Sequence, residues 1–199
     1  MEILAPAGGF DSLIAAVQNG ADAVYVGGSR FSARKNAANF DNGELIRAVD
    51  YCHLRGVKLY VALNILIKET ELDEARRYLE FIREIGADAA IVQDLSVIAM
   101  MGGFDDLRLH ASTQMTVCSA DGVTALSRLG AARVVLSREL SLDEIKKISK
   151  NTGTETEVFV HGALCMSYSG QCLMSSIIGG RSGNRGACAQ PCRLPYTLC

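Results

Sequence analysis

Gly20-Ala21-Asp22-Ala23-Val24-Tyr25-Val26 returns as Gly86-Ala87-Asp88-Ala89-Ala90-Ile91-Val92 and, more loosely, as Gly130-Ala131-Ala132-Arg133-Val134-Val135-Leu136. Each glycine can take the left-handed conformation that ends a helix, and the apolar run after it reads as a strand buried on both faces. Gly56-Val57-Lys58-Leu59-Tyr60-Val61 has the same form. Between such runs the period becomes helical: Leu72, Ala75, Leu79, Ile82 and Ile85 fall on one stripe, with Glu71, Glu74, Arg77 and Glu84 elsewhere. Helix starts are marked too, since Ser141 followed by Glu144, and Asp41 followed by Glu44, can each form a capping box.

This alternation predicts strands over Glu2 to Ala5, Ala23 to Val26, Lys58 to Leu63, Ala89 to Val92, Leu107 to Leu109, Arg133 to Leu136 and Glu157 to Val160. Parallel strands joined by right-handed helical crossovers follow from it. No Gly-x-Gly-x-x-Gly follows the first strand, so a dinucleotide-binding open sheet loses its best marker. The expected fold is α/β, a TIM-type (β/α) barrel with about seven of its eight units. Barrel units occupy residues 1–162, and a cysteine-rich segment, 163–199, lies over the barrel mouth. The chain reads as cut before its last unit, with an open barrel edge.

A chain of 199 residues, 49% hydrophobic and 21% charged, has the composition of one globular core. The start Met1-Glu2-Ile3-Leu4-Ala5-Pro6 is not a signal peptide, and no run is apolar for long enough to span a bilayer, so a cytoplasmic protein with no membrane partner is expected. In that setting seven cysteines point to reduced, metal-binding or catalytic thiols rather than disulfides. A net charge of -2 excludes a wholly basic nucleic-acid coat but leaves two local patches. One is Arg30, Arg34 and Lys35 around Phe31; the other is Arg181, Arg185 and Arg193.

In such a barrel, functional groups collect at the carboxyl ends of the strands. There the sequence places Gly27-Gly28, Asn64, Gln93-Asp94, His110 with Ser112-Thr113-Gln114, Arg138-Glu139 and His161. Asp94, Ser112 and Ser141 could individually be helix caps, but the set has the layout of a pocket. His53, Cys52 and Cys118 read as packing residues. After the last strand come Cys165, Cys172, Cys188 and Cys192, spaced C-x6-C-x15-C-x3-C. Paired C-x-x-C zinc knuckles are missing, whereas an iron-sulfur cluster tolerates irregular spacing. A thiol nucleophile, Cys165 with His161 or His110 as base, is the third possibility.

The stretch Glu157 through Cys172, with Leu4-Ala5-Pro6-Ala7-Gly8, Phe31-Ser32-Ala33-Arg34, His110-Ala111-Ser112-Thr113-Gln114, Ser137 through Leu142, and Asn184-Arg185-Gly186, resembles the collagenase-like peptidase family of unassigned catalytic type. The resemblance covers essentially the whole chain and is strongest to the family's ribosomal-RNA hydroxylase branch. It implies an oxygen-independent RNA hydroxylase carrying a 4Fe-4S cluster, with prephenate as a hydroxyl source. Carried over by position, the cluster ligands are Cys165, Cys172, Cys188 and Cys192. His110, Gln114, Arg138 and His161 would position the substrate or the small-molecule oxygen donor, and Arg30, Arg34, Asn64, Arg181 and Arg185 would meet the RNA. The family's name implies the alternative of a thiol or metal peptidase. A non-catalytic partner subunit, in a homo- or hetero-oligomer, is a third reading.

Overall fold

The computed structural model describes residues 1–33 and 38–197; Arg34 and Lys35 of the first basic patch, and Cys199, lie outside the described residues. Seven parallel strands pair in chain order: β1 (Leu4–Ala7), β2 (Ala23–Gly27), β3 (Lys58–Leu63), β4 (Ala89–Val92), β5 (Arg108–Ala111), β6 (Ala131–Val135) and β7 (Glu155–Glu157). The helices are α1 (Phe10–Gln18), α2 (Asn42–His53), α3 (Leu72–Glu84), α4 (Leu95–Met101), α5 (Ala120–Arg128), α6 (Leu142–Asn151) and α7 (Met174–Gly179). The first six are the crossovers that a parallel neighbour-to-neighbour order requires.

The recurring glycines perform the expected role. Gly20, Gly56, Gly86 and Gly130 all have positive φ. Behind the first three, the amides of Ala21, Val57 and Ala87 donate to the carbonyls of Ala16, Cys52 and Ile82 at 3.0–3.2 Å, closing the helix ends and turning the chain into the next strand. The capping boxes at Asp41–Glu44 and Ser141–Glu144 both form. On α3 the apolar stripe is buried through Ala75, Tyr78, Leu79 and Ile82. Burying a side chain such as Leu79 is worth roughly 1.5–3 kcal/mol, so this face rather than helix propensity holds α3 in place.

The two faces of the sheet differ. Val24, Val26, Leu59, Val61, Leu63, Ala90, Val92, Val134 and Leu136 point outward into the large core beneath the helices. Ala23, Tyr60, Ala89 and Ile91 point inward and form a second, small apolar cluster with Leu4 and Tyr25. The sheet is curled: from β6, Arg133 reaches Glu2, just before β1, at 2.6 Å. β1 and β7 are nevertheless not hydrogen-bonded to each other, so the curl stays open between them.

β6 runs over Ala131–Val135 rather than Arg133 to Leu136, and three further strands depart from the expected positions. β1 begins at Leu4 and includes Pro6, which an edge strand tolerates because one side of its backbone is unpaired. β5 runs to Ala111, so His110 lies within the strand rather than at its end, where the register with β6 shifts at Leu109 and His110. β7 is Glu155–Glu157, not Glu157 to Val160. Val158, Phe159 and Val160 are exposed, because among the described residues no strand lies on the other side of β7 to pair with them.

Candidate functional site at the carboxyl ends of the strands

The interior of the curl has two polar ends. At the amino ends of the strands, Arg133 donates to Glu2 at 2.6 Å, Glu155 at 2.8 Å and Glu157 at 3.3 Å, while Lys58 and the Tyr60 hydroxyl also reach Glu2, at 2.8 and 2.9 Å. Burial alone would raise the Glu2 carboxyl, but the hydrogen bonds from Arg133, Lys58 and Tyr60 outweigh it and bring its pKa down to about 2. Glu157 is shifted the other way, because its burial outweighs the attraction of Arg133. None of the Arg133, Glu2, Glu155, Glu157 or Tyr60 side-chain atoms is buried without a partner. His110, fully buried, stands edge-on to Tyr60 with ring centroids 4.7 Å apart. Burial, reinforced by Arg133 and Arg108, lowers its pKa to about 3, so the imidazole is neutral at ordinary pH.

The carboxyl ends behave otherwise. Oε1 of Gln93, Oε1 of Gln114 and Nε of Arg138 are buried there with no hydrogen-bond partner among the described residues, and deeper in the curl, beside Tyr60, both ring nitrogens of His110 are likewise unpartnered. Each such group costs about 1–3 kcal/mol if nothing satisfies it, and that penalty marks a place built for a ligand or ordered water. Other strand-end groups are committed to the loops. Asn64 accepts from the Ala33 amide at 3.0 Å, and Asp94 caps α4 while also accepting from the Ile67 amide at 2.9 Å. Ser112 caps the one-turn helix Thr113–Met115.

Over this mouth runs the start of the cysteine-bearing segment. Arg138 donates to the Ala163 carbonyl at 3.3 Å and to the Ser169 hydroxyl. Thr116 donates to the Ser169 carbonyl at 3.1 Å and accepts from Nε2 of Gln171 at 3.2 Å. Gly170, at φ +80, lies so close that a Cβ there would sit 2.6 Å from the Gln114 carbonyl and 3.2 Å from Nε2 of Gln93. Farther along, Gly186 rests on the loop after β2, where a Cβ would run into the Ser32 carbonyl. Arg185 fixes the same region through the Leu66 carbonyl and Glu71, each at 2.5 Å.

The expected site residues therefore divide. His110, Gln114 and Arg138 contribute unpartnered atoms. His161 is exposed on the segment after β7. Arg30 is paired with Glu74 at 2.6 Å, Arg185 with Glu71, and Arg181 donates to the Ala187 carbonyl at 3.1 Å. Arg34 lies outside the described residues. Cys52 is buried as expected, and burial raises its thiol to about 11; Cys118, expected to pack, is exposed. His53 bonds Asp88 at 2.9 Å on the surface. Gln93, expected in the strand-end set, contributes an unpartnered Oε1, whereas Thr116, in the polar run after β5, is a residue of this region that the sequence reading did not single out.

Cys165, Cys172, Cys188 and Cys192 are free thiols, three exposed and Cys172 half-buried. Their donor chemistry suits an iron-sulfur cluster. Their placement is not that of a formed centre: among the described residues no three His, Cys, Asp or Glu side chains gather closely enough to hold a metal ion. Cys172, through its carbonyl oxygen, and Cys188, through its Cβ, both lie beside Gly183.

A curled parallel (β/α) sheet with unpaired polar groups at its carboxyl end, under a cysteine-bearing strap, is the frame of a TIM-barrel-like protein. The chain belongs to Peptidase family U32, whose profile matches residues 8–199. It is 44% identical over 200 residues to the 23S rRNA 5-hydroxycytidine C2501 synthase of Escherichia coli, covering 100% of this chain and 30% of that protein. The tRNA hydroxylation protein P of Escherichia coli is 39% identical, over 99% of this chain and 44% of its own length. A collagenase of Porphyromonas gingivalis is 35% identical, over 99% of this chain and 50% of its own. The chain thus spans half or less of these relatives. Among solved structures, the U32 peptidase Mk0906 superimposes with a TM-score of 0.69 at 17% identity, covering 79% of this chain and 68% of that one, a likeness of fold.

Proposed function

We propose that this chain is the barrel portion of an enzyme that hydroxylates a base of ribosomal or transfer RNA without molecular oxygen as the oxygen source. The observation that carries the reading is the identity to two RNA-hydroxylation proteins along its whole length. The mouth agrees in kind. Its unpartnered groups are two side-chain amides, a neutral imidazole and one guanidinium nitrogen, which suit the hydrogen-bonding edge of a base taken out of its stack. In this reading Gln93, Gln114 and His110 orient the base or the oxygen donor, Arg138 binds while keeping the strap in place, and His161 approaches from the segment after β7. A small organic molecule such as prephenate supplies the hydroxyl group. Arg30, Asn64, Arg181 and Arg185 border the path of the RNA, and Arg34 belongs to the same set by sequence. Cytoplasmic RNA as target puts the protein in the cytoplasm.

Cys165, Cys172, Cys188 and Cys192 would hold a 4Fe-4S cluster, whose chemistry is one-electron transfer. Because the sulfurs are apart, the strap must rearrange to take it up. The test is anaerobic purification of the full-length protein with iron and sulfide analysis, together with hydroxylated nucleosides in RNA from cells with and without the gene. Stoichiometric iron and sulfide, lost in Cys172→Ala, and a hydroxylated nucleoside that disappears with the gene are expected. An iron-free protein and unchanged RNA would overturn the reading.

The collagenase relative favours a peptidase as the second reading. Its thiol version lacks an arranged pair, since among the described residues no hydrogen bond joins exposed Cys165 to His161, and His110 is buried in the curl. Peptide cleavage that is lost in Cys165→Ala would restore it.

A further inference from the structure

Thr116 is strained where it stands. It ends the one-turn helix Thr113–Met115 with φ 57° and ψ 49°, the left-handed region that a β-branched side chain rarely occupies. Glycine or asparagine would be the ordinary choice there. What threonine adds is a hydroxyl held in one direction. Of two carbonyls within its reach its hydrogen goes to the nearer, that of Ser169 at 3.1 Å rather than that of Gln114 at 3.5 Å, while its lone pair receives Nε2 of Gln171 at 3.2 Å. One group thus both donates to and accepts from the strap, on either side of Gly170, the residue that lies against Gln114 and Gln93.

We infer that Thr116 is a positioning residue, a latch whose left-handed backbone aims its hydroxyl to hold Ser169-Gly170-Gln171, and with it the approach to Cys172, over the barrel mouth. Arg138 holds the same strap at Ala163 and Ser169 from the carboxyl end of the neighbouring strand, β6. Thr116 is the half of the fastening that carries no charge and contributes no unpartnered atom. The inference concerns the strap's attachment and rests on the proposed function only for its use in catalysis.

The latch separates from a general structural role because strain and hydroxyl oppose each other. In the full-length protein, Thr116→Gly removes both, and Thr116→Ser keeps the hydroxyl. Hydrogen exchange of the 168–173 amides, read by mass spectrometry, is expected to rise at least about fivefold in Thr116→Gly, as the loss of two ordinary hydrogen bonds implies. Its Tm should equal or exceed that of the wild type, because glycine accepts this conformation freely. Thr116→Ser should exchange at the wild-type rate. Should Thr116→Gly not fold, Gln171→Ala, an exposed change, is expected to speed the same amides by a smaller factor. Wild-type exchange in Thr116→Gly or Gln171→Ala, or equal acceleration in Thr116→Ser and Thr116→Gly, would overturn the latch. Because exchange reads neither RNA nor iron, a failed latch and a failed hydroxylase reading give separate results.

Discussion

The two ends of one curled sheet carry similar amounts of polarity to opposite purposes. At the amino end, Arg133 is almost wholly buried yet bound to three carboxylates, and the group is fully satisfied. At the carboxyl end, Gln93, Gln114 and Arg138, with His110 deeper in the curl, bury polar atoms that no described residue answers. A satisfied network fixes a fold, here by tying β6 and β7 to the residue before β1 across the open edge. An unsatisfied one is sustained at a cost by the rest of the fold and reports a ligand.

The comparison can be broken by substitutions at either end. The largest effect is expected from Arg133→Met, which strands Glu157 and leaves Glu2 only Lys58 and Tyr60. Taking one partner from a buried ion network costs about 3–5 kcal/mol, somewhat less here because Glu155 is half exposed, and chemical denaturation should show it as a lowered midpoint. Next comes Gly170→Ala, whose Cβ would press on the Gln114 backbone at a positive φ. Its cost, about 1–3 kcal/mol, should fall on the strap rather than the barrel, so hydroxylation is lost and the 168–173 amides exchange faster while the strands stay protected.

A third effect is one of pH. His110 stays neutral in the folded protein down to about 3, whereas an unfolded histidine takes its proton near pH 6.5. The unfolded state therefore binds more protons between those values, and stability should fall as pH drops through that window. Glu2 adds to the loss only lower, as pH falls from its ordinary 4.5 toward 2, and Glu157, shifted upward, opposes it. His110→Phe should flatten the decline between pH 6 and 4.5 in thermal melts, where the wild type slopes. The smallest stability effect is expected from Gln93→Leu. Replacing an unanswered amide with an apolar side chain of similar size should shift stability by no more than about 1 kcal/mol, in either direction.

Legibility in the sequence followed burial. β3 and β4 stand where the apolar runs put them because both faces are covered, so period and boundary coincide. β7 does not, since a continuous run such as Val158-Phe159-Val160 reads as a buried strand only if a neighbour exists to bury it. The inner charged network was hidden for a related reason: Arg133 within an apolar strand looked incidental until the curl brought Glu2 to it. At the mouth, residue type revealed His110, Gln114 and Arg138, but which polar atoms remain unanswered depends on distances between loops. Thr116 gave no sign, because nothing in its neighbours forces a left-handed turn on a threonine.

The most direct measurement is the level of hydroxylated nucleosides, by mass spectrometry of RNA from cells lacking the gene and complemented with the full-length wild type or with Gln114→Leu, beside the Tm of each purified protein. Restoration by the wild type, no restoration by Gln114→Leu, and closely similar Tm values are expected if the unanswered groups at the mouth are the site. A Gln114→Leu protein that restores hydroxylation fully, or RNA that is the same with and without the gene, would contradict it.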